Sequence, residues 1–184
     1  MRVIAGLYRG RILKSPSDSK TRPTSDRLRE TIFNILNPTI HDETRFLDLC
    51  AGTGAIGIEA LSRGAAFVTF VDRSRRACAL IEENLDTLGI AETETQVVNL
   101  PAETFAARNH TAPWDIAFYD PPYDADYSLV LNEFRTSPDN LLAHSGLLIV
   151  EHHAKNEVPD EVGELRRWRV LKQGETRLSF YERS

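Results

Sequence analysis

From Arg45 onward, short apolar runs and amphipathic stretches take turns along the chain, and no other feature restricts the fold so tightly. Phe46-Leu47-Asp48-Leu49-Cys50, Phe67–Asp72, Thr95–Val98, Asp115–Asp120 and Gly146–Glu151 read as strands. Between them Ala55–Arg63, a stretch capped by Ser74 and stopped at Gly89, Ala102–Arg108 and Tyr127–Arg135 read as helices. Strands that alternate with helices pair in parallel, and the helices cover both faces of the sheet. Two later β-rich runs, Arg166–Leu171 and Arg177–Tyr181, lie close enough to pair antiparallel. The expectation is an α/β fold with a mostly parallel, seven-stranded sheet. Ahead of it, Arg2–Lys14 suggests a small hairpin punctuated by Gly6 and Gly10, and residues 15–25 have loop chemistry. A helix capped by Thr24 or Ser25 then runs to about Leu36, with Leu28, Ile32, Phe33, Ile35 and Leu36 as its apolar stripe and Pro38 as its stop. The expected organisation is a single domain over 1–184, in which an arm and helix over 1–42 append to an α/β core over 43–184.

Composition narrows the class of partner. A chain of 184 residues buries enough surface to need no disulfide or metal staple. Cys50 and Cys78 fall at a strand end and in a helix, as buried free thiols do, and cytoplasm is the expected compartment. No apolar stretch approaches the ~20 residues of a membrane span, and the N-terminus lacks the apolar region of a secretory signal. A net charge of −5 argues against nucleic acid until its distribution is considered. Residues 1–30 hold eight basic side chains against three acidic ones, a net of +5, which leaves −10 for the rest. A basic edge on an acidic body suits a protein that touches phosphates there. Arg9, Arg11, Lys14, Arg22, Arg27 and Arg29 are the candidate contacts to an RNA backbone. Arg22 and Thr24 have an alternative role in ordering the loop over a cofactor, and a merely solvated terminus is the bland reading.

Between the first strand and helix runs Asp48-Leu49-Cys50-Ala51-Gly52-Thr53-Gly54-Ala55-Ile56-Gly57. Gly52 and Gly54 permit a tight turn and close approach of a ligand, and Gly57 lets the helix pack against the sheet. Such a loop first suggests a dinucleotide with its pyrophosphate at the helix N-terminus. Asp72, ending the second strand beside Arg73, fits a carboxylate that binds ribose hydroxyls in either case. Asp48 discriminates: a carboxylate there repels pyrophosphate but suits the ammonium and sulfonium of S-adenosylmethionine.

Asp120-Pro121-Pro122-Tyr123 follows the fourth strand. Each proline fixes φ and removes a backbone donor, so the segment is a stiff turn at a strand's carboxyl end, where open α/β sheets bind ligands. It presents one carboxylate, free carbonyls and one aromatic ring, a set that holds a flat heterocycle by its amino group. Adenine, cytosine and guanine amines fit equally well. Carbon methylation of pyrimidines typically needs a nucleophilic cysteine near this turn, and none is expected there. His152 and His153 sit on a strand with opposite orientations, so they read as surface and edge residues with no metal role.

These motifs together resemble a known family. Asp48-x-x-Ala51-Gly52-Thr53-Gly54 with Asp72 resembles the cofactor motifs of class I methyltransferases, and Asp120-Pro121-Pro122-Tyr123 matches the turn of those that methylate exocyclic amines. Met1–Arg11, Arg22-Pro23-Thr24, Arg29-Glu30-x-x-Phe33-Asn34-x-Leu36, Gly57–Ala65, Val150-Glu151-His152 and Gly174–Tyr181 resemble the RsmD family over essentially the whole chain. The resemblance implies the class I (Rossmann-like) methyltransferase fold, S-adenosylmethionine as cofactor, and guanine N2 of 16S rRNA, free or in an assembling small subunit, as target. A monomer without membrane contact is the expected state. Many class I enzymes carry an acid after the third strand to bind adenine; here Asn99, Glu103 or the backbone at Ala102 can take that role. The rival readings are a DNA or RNA adenine amine methyltransferase, which normally needs a recognition insertion for DNA, and a silent RNA-binding module, which has no use for Asp120 and Tyr123 together.

Overall fold

The computed structural model describes residues 1–16 and 26–183. Along these the chain forms α1 (Asp26–Leu36), β1 (Arg45–Leu49), α2 (Ala55–Ser62), β2 (Phe67–Asp72), α3 (Arg75–Leu88), β3 (Thr95–Asn99), α4 (Ala102–Ala106), β4 (Trp114–Tyr119), α5 (Tyr127–Thr136), α6 (Pro138–Leu141), β5 (Leu142–His153), β6 (Glu161–Val162), β7 (Leu165–Gln173) and β8 (Thr176–Arg183). The strands make one sheet in the order β3-β2-β1-β4-β5-β8-β7-β6. β1 to β5 are parallel, and β8, β7 and β6 add antiparallel to the β5 edge. The sheet therefore has eight strands rather than the expected seven. The extra one, β6, is two residues long, too short to show any alternation. The proposed Thr24 or Ser25 helix cap lies outside the described residues.

Alternation along the strands splits the core into two layers. Phe46, Phe70, Phe118 and Ile149 face α1, α2 and α3, where they meet Ile32, Phe33, Ile58 and Ile81. Leu47, Val71, Tyr119 and Val150 face the other side and pack with Phe105 of α4 and Val130, Leu131 and Phe134 of α5. β1 has β2 on one side and β4 on the other. The order of winding reverses at that point, and the crevice opens beyond the carboxyl ends of β1 and β4. It lies where Asp48, the glycine loop and Asp120 converge.

The N-terminal arm forms the expected hairpin: Val3 donates to Arg11 O (3.0 Å), and Gly10 to Val3 O (2.9 Å). It docks on α2 through buried polar groups. The Glu59 carboxylate, fully buried, accepts from the backbone N–H of Ile4 (2.8 Å) and Ala5 (3.0 Å) and pairs with Arg63 at 2.8 Å. Ser62 Oγ accepts from Tyr8 N–H at 3.0 Å.

α2 presses on β2 at Gly57. A Cβ there would lie 2.2 Å from Phe70 Cε1 and 2.8 Å from Val68 Cγ1, both in the core. Gly57→Ala forces the helix off the sheet at an overpacking cost of about 1–3 kcal/mol, against about 1 kcal/mol of gained helix propensity. Thermal unfolding of the variant is expected to show a lowered midpoint; an equal or higher one would mean that α2 has room to spare.

Candidate active site

β1 delivers Asp48 beneath the start of α2. Its carboxyl is only 2% exposed and accepts from the Gly57 N–H at 3.0 Å. Burial pushes it up to about 7; the Gly57 bond acts the other way, and the charges of Asp120 and Asp72 add to the rise. The chain then leaves β1 through left-handed backbone at Cys50 (φ 65°), Gly52 (φ 56°) and Gly54 (φ 74°). At a cysteine that conformation is strained, and such strain collects at functional turns. Asp72 holds the loop from the β2 side: its two oxygens accept from the N–H groups of Gly52 (2.9 Å) and Ser74 (2.8 Å). Asn84 of α3 ties the loop to the arm, donating to Thr53 O and Lys14 O (both 3.2 Å) and accepting from Lys14 N–H (2.8 Å).

β4 ends beside this loop. Asp120 N–H donates to Leu49 O at 3.2 Å, so the carboxylate starts its turn alongside the exit of β1. Pro121 is buried, whereas the Tyr123 ring is 51% exposed and meets the edge of His153 at 5.2 Å. Asn156 Nδ2 donates to Tyr123 O (2.8 Å) and so braces the turn from the segment after β5. His152 is not a surface residue as expected. It is buried, with Nε2 on Ser179 Oγ (3.0 Å) and Nδ1 on Asn156 O (2.9 Å), because β8 pairs along that edge of β5 and the segment after β5 folds back to the ring.

Two cavities, of about 770 and 570 Å³, share Cys50 and Asp120 in their walls. Asp48, Ala51, Gly52 and Thr53 line the larger. Asp72, Arg73, Ala102 and Glu103 line the smaller, with Pro121, Pro122 and Tyr123. Gly54 lies under the loop against Ile81 and Phe70, where it sets the turn. Of the three candidates at and beyond the end of β3, Ala102 and Glu103 border a cavity. Asn99 lies outside both, and its Nδ2 donates to Asp72 O at 3.0 Å.

Two features were missed in the sequence. Cys50 adjoins the Asp-Pro-Pro-Tyr turn in space, contrary to the expectation that no cysteine is near it. Burial, reinforced by Asp120, Asp72, Asp48 and Glu103, raises its thiol, so it stays protonated and makes a poor nucleophile. The second is Glu151, at the carboxyl end of β5, in the wall of the smaller cavity. Its signal was present: like Asp48, Asp72 and Asp120, it is an acid at or near the carboxyl end of an apolar strand.

The basic candidates divide. Arg9 and Arg27 are exposed, Arg11 is exposed while donating to Thr87 O at 3.2 Å, and the Lys14 ammonium pairs with Glu83. Arg29 cannot face a phosphate. It is fully buried and donates to Arg2 O (2.7 Å) and Asp26 Oδ1 (2.8 Å), fastening the arm to α1. Arg22 and Thr24 lie outside the described residues.

Sheets wound in this order, with acids gathered around the glycine loop, define the class I methyltransferase fold. A SAM dependent methyltransferase from Agrobacterium tumefaciens shares it at TM-score 0.65 and 19% identity, over 84% of this chain and 61% of that one. A narrower match extends along the chain. The family model described as "Conserved hypothetical protein 95" matches residues 1–182, and the chain belongs to that family, the RsmD-like methyltransferases. The ribosomal RNA small subunit methyltransferase D of Escherichia coli (strain K12) is 38% identical over 184 residues, covering 100% of this chain and 90% of the relative. The solved Escherichia coli protein yhhF superposes at TM-score 0.88 with 36% identity, over 100% of this chain and 98% of that one.

The raised Asp48 carboxyl has a stability consequence. Between about pH 4 and 7 an unfolded aspartate is ionised while the folded Asp48 keeps its proton, so this group's contribution to stability falls as pH rises across that window. Asp48→Asn keeps an acceptor for Gly57 and removes the fall. Its stability relative to the parent is expected to rise between pH 5 and pH 8 by on the order of 3 kcal/mol. Denaturant unfolding at both pH values measures this; a difference independent of pH would mean that Asp48 is ionised in the fold throughout.

Proposed function

We propose that this chain transfers a methyl group from S-adenosylmethionine to the exocyclic N2 amine of a guanine in small-subunit rRNA. The observation that carries the reading is the placement of Asp120: one carboxylate stands in the walls of both cavities, between the glycine loop and the proline turn. The rRNA target is supported by the named activity of the Escherichia coli relative, and guanine N2 by the family resemblance.

The residues around the loop fit the cofactor. Asp48 is buried beyond what one backbone donor satisfies, and a cationic ligand offsets its cost. Asp72 retains lone pairs for ribose hydroxyls, and Ala102 and Glu103 border the space for adenine. A pyrophosphate would meet four acids and gain nothing from them. When bound, S-adenosylmethionine supplies a methyl group activated by a positively charged sulfur.

The chain's own groups orient the acceptor. Asp120 and the Pro121 carbonyl accept from the two N–H bonds of the amine and turn its lone pair toward the donor. That alignment supplies a large part of the acceleration. As the new bond forms, positive charge grows on nitrogen, and Asp120 stabilises it and receives the proton that the methylated amine gives up. Tyr123, with half its surface free, stacks on the base. The base reaches the turn from a loop or a flipped position, since its amine is inaccessible within a helix. Arg9, Arg11 and Arg27 face the RNA backbone together with Lys14, and Arg22 and Thr24 are further candidate contacts by sequence. The arm and core act as one catalytic unit, a monomer in solution.

Asp120→Ala is expected to lower turnover at least about 100-fold while leaving cofactor affinity within a few-fold. Single-turnover kinetics with calorimetry tests this, and undiminished turnover would remove Asp120 from the chemistry. Labelled S-adenosylmethionine with unmodified small subunits or their RNA should yield N2-methylguanosine in hydrolysates; label in DNA alone would overturn the reading. Replacing Arg9, Arg11 and Arg27 together should reduce the slope of log affinity against log salt by roughly 2. An unchanged slope would make the arm a solvated terminus.

A further inference from the structure

Glu151 takes no part in the chemistry so far described, yet it stands beside it. Tyr119 and Val150 are paired across β4 and β5, and Asp120 and Glu151 each follow by one residue, so the two acids are neighbours on the sheet's carboxyl edge. Both line the smaller cavity with Pro121, Pro122 and Tyr123. Glu151 is 6% exposed, and its Oε2 has no hydrogen-bond partner among the described residues. Its neighbour His152 offers no donor, because that ring is engaged with Ser179 and Asn156. Burial and the nearby Asp120 charge raise its carboxyl above the usual range. An unpartnered buried carboxyl weakens a fold, so a purely structural role gives no reason for an acid here.

A donor arriving with the substrate does. We infer that Glu151 accepts the ring N1–H of the target guanine while Asp120 holds its N2 amine, so that the paired acids read the two adjacent donors of guanine's Watson–Crick edge. This rests on the guanine reading above and supplies what that reading lacked, a residue that chooses the base. Adenine and cytosine present a ring lone pair beside the exocyclic amine. Once the positive charge of the bound methyl donor has drawn off its proton, Glu151 is a carboxylate that only accepts, and it would face that lone pair without a hydrogen bond. Flipped bases are commonly read along this edge, and a site built for a substrate N–H rejects analogues that lack it because its own polar group is left unpaired.

The test compares guanosine with 2-aminopurine riboside, which keeps the 2-amine but replaces N1–H with a lone pair. Each is placed at the mapped target in ligated rRNA assembled into small subunits, and kcat/KM is measured for the parent, Glu151→Gln and Glu151→Ala. The parent is expected to prefer guanosine at least about 100-fold. Gln can donate to the analogue's lone pair, so its preference should fall at least 10-fold, and Ala should also narrow the ratio. A structural role would slow both substrates alike and leave the ratio where it was, which would overturn the assignment. Binding followed by 2-aminopurine fluorescence gives a second readout, with tighter binding expected for Glu151→Gln than for the parent. Equal or weaker binding counts against the inference. A parent that makes no N2-methylguanosine fails the guanine reading and this inference with it. A parent that does, with an unmoved ratio in both variants, fails the inference alone.

Discussion

Asp48, Asp72, Asp120 and Glu151 lie at or near the carboxyl ends of four parallel strands, and the sheet's geometry brings them together where few donors reach them. Each parallel strand delivers its last side chain to the same edge, and the reversal of winding at β1 and β4 opens a crevice there. Burial raises the carboxyls of Asp48, Asp120 and Glu151 above their ordinary range. Asp72 accepts from two backbone N–H groups and holds the loop. Packing thus creates an electrostatic debt that a cationic donor and a base rich in N–H groups can each relieve. On the proposed reading, that shared need is why the cofactor and acceptor sites meet at Asp120.

The arm belongs to the same arrangement. Its hairpin hangs on Glu59 and Ser62 of α2, and Asn84 of α3 links it directly to Thr53 in the glycine loop. Ser15 and Pro16 then border the larger cavity. On the proposed reading, an RNA contact on the arm is therefore one hydrogen-bonded residue, Asn84, away from the glycine loop. Buried Arg29 contributes by fastening the arm to α1 rather than by reaching phosphate.

The parallel half of the fold was legible because its signal is periodic: strands such as Phe67–Asp72 and helices such as Arg75–Leu88 are long enough to display their spacing. β6 was not, since two residues carry no period, and its pairing with β7 arises only in the folded edge. Asp48, Asp72 and Asp120 stood out because each adjoins glycine, a cap or proline. Glu151 has only the strand before it and two histidines after it, so its role depends on pairing between β4 and β5. Arg29 and Cys50 failed in opposite directions. Composition treats an arginine in a basic run as solvated, and linear distance hides that residues 50 and 120 adjoin. Both errors concern tertiary burial, to which a one-dimensional pattern is blind.

On the proposed reading, the positive charge of S-adenosylmethionine draws protons from the raised carboxyls of Asp48, Asp120 and Glu151. Calorimetric titration of the protein with S-adenosylmethionine near pH 7, in buffers of different ionisation enthalpy, counts the protons exchanged on binding. Net release is expected, with affinity rising as pH increases through 7, and Asp48→Asn should reduce that release. Binding with no proton release, or with uptake, would contradict the account.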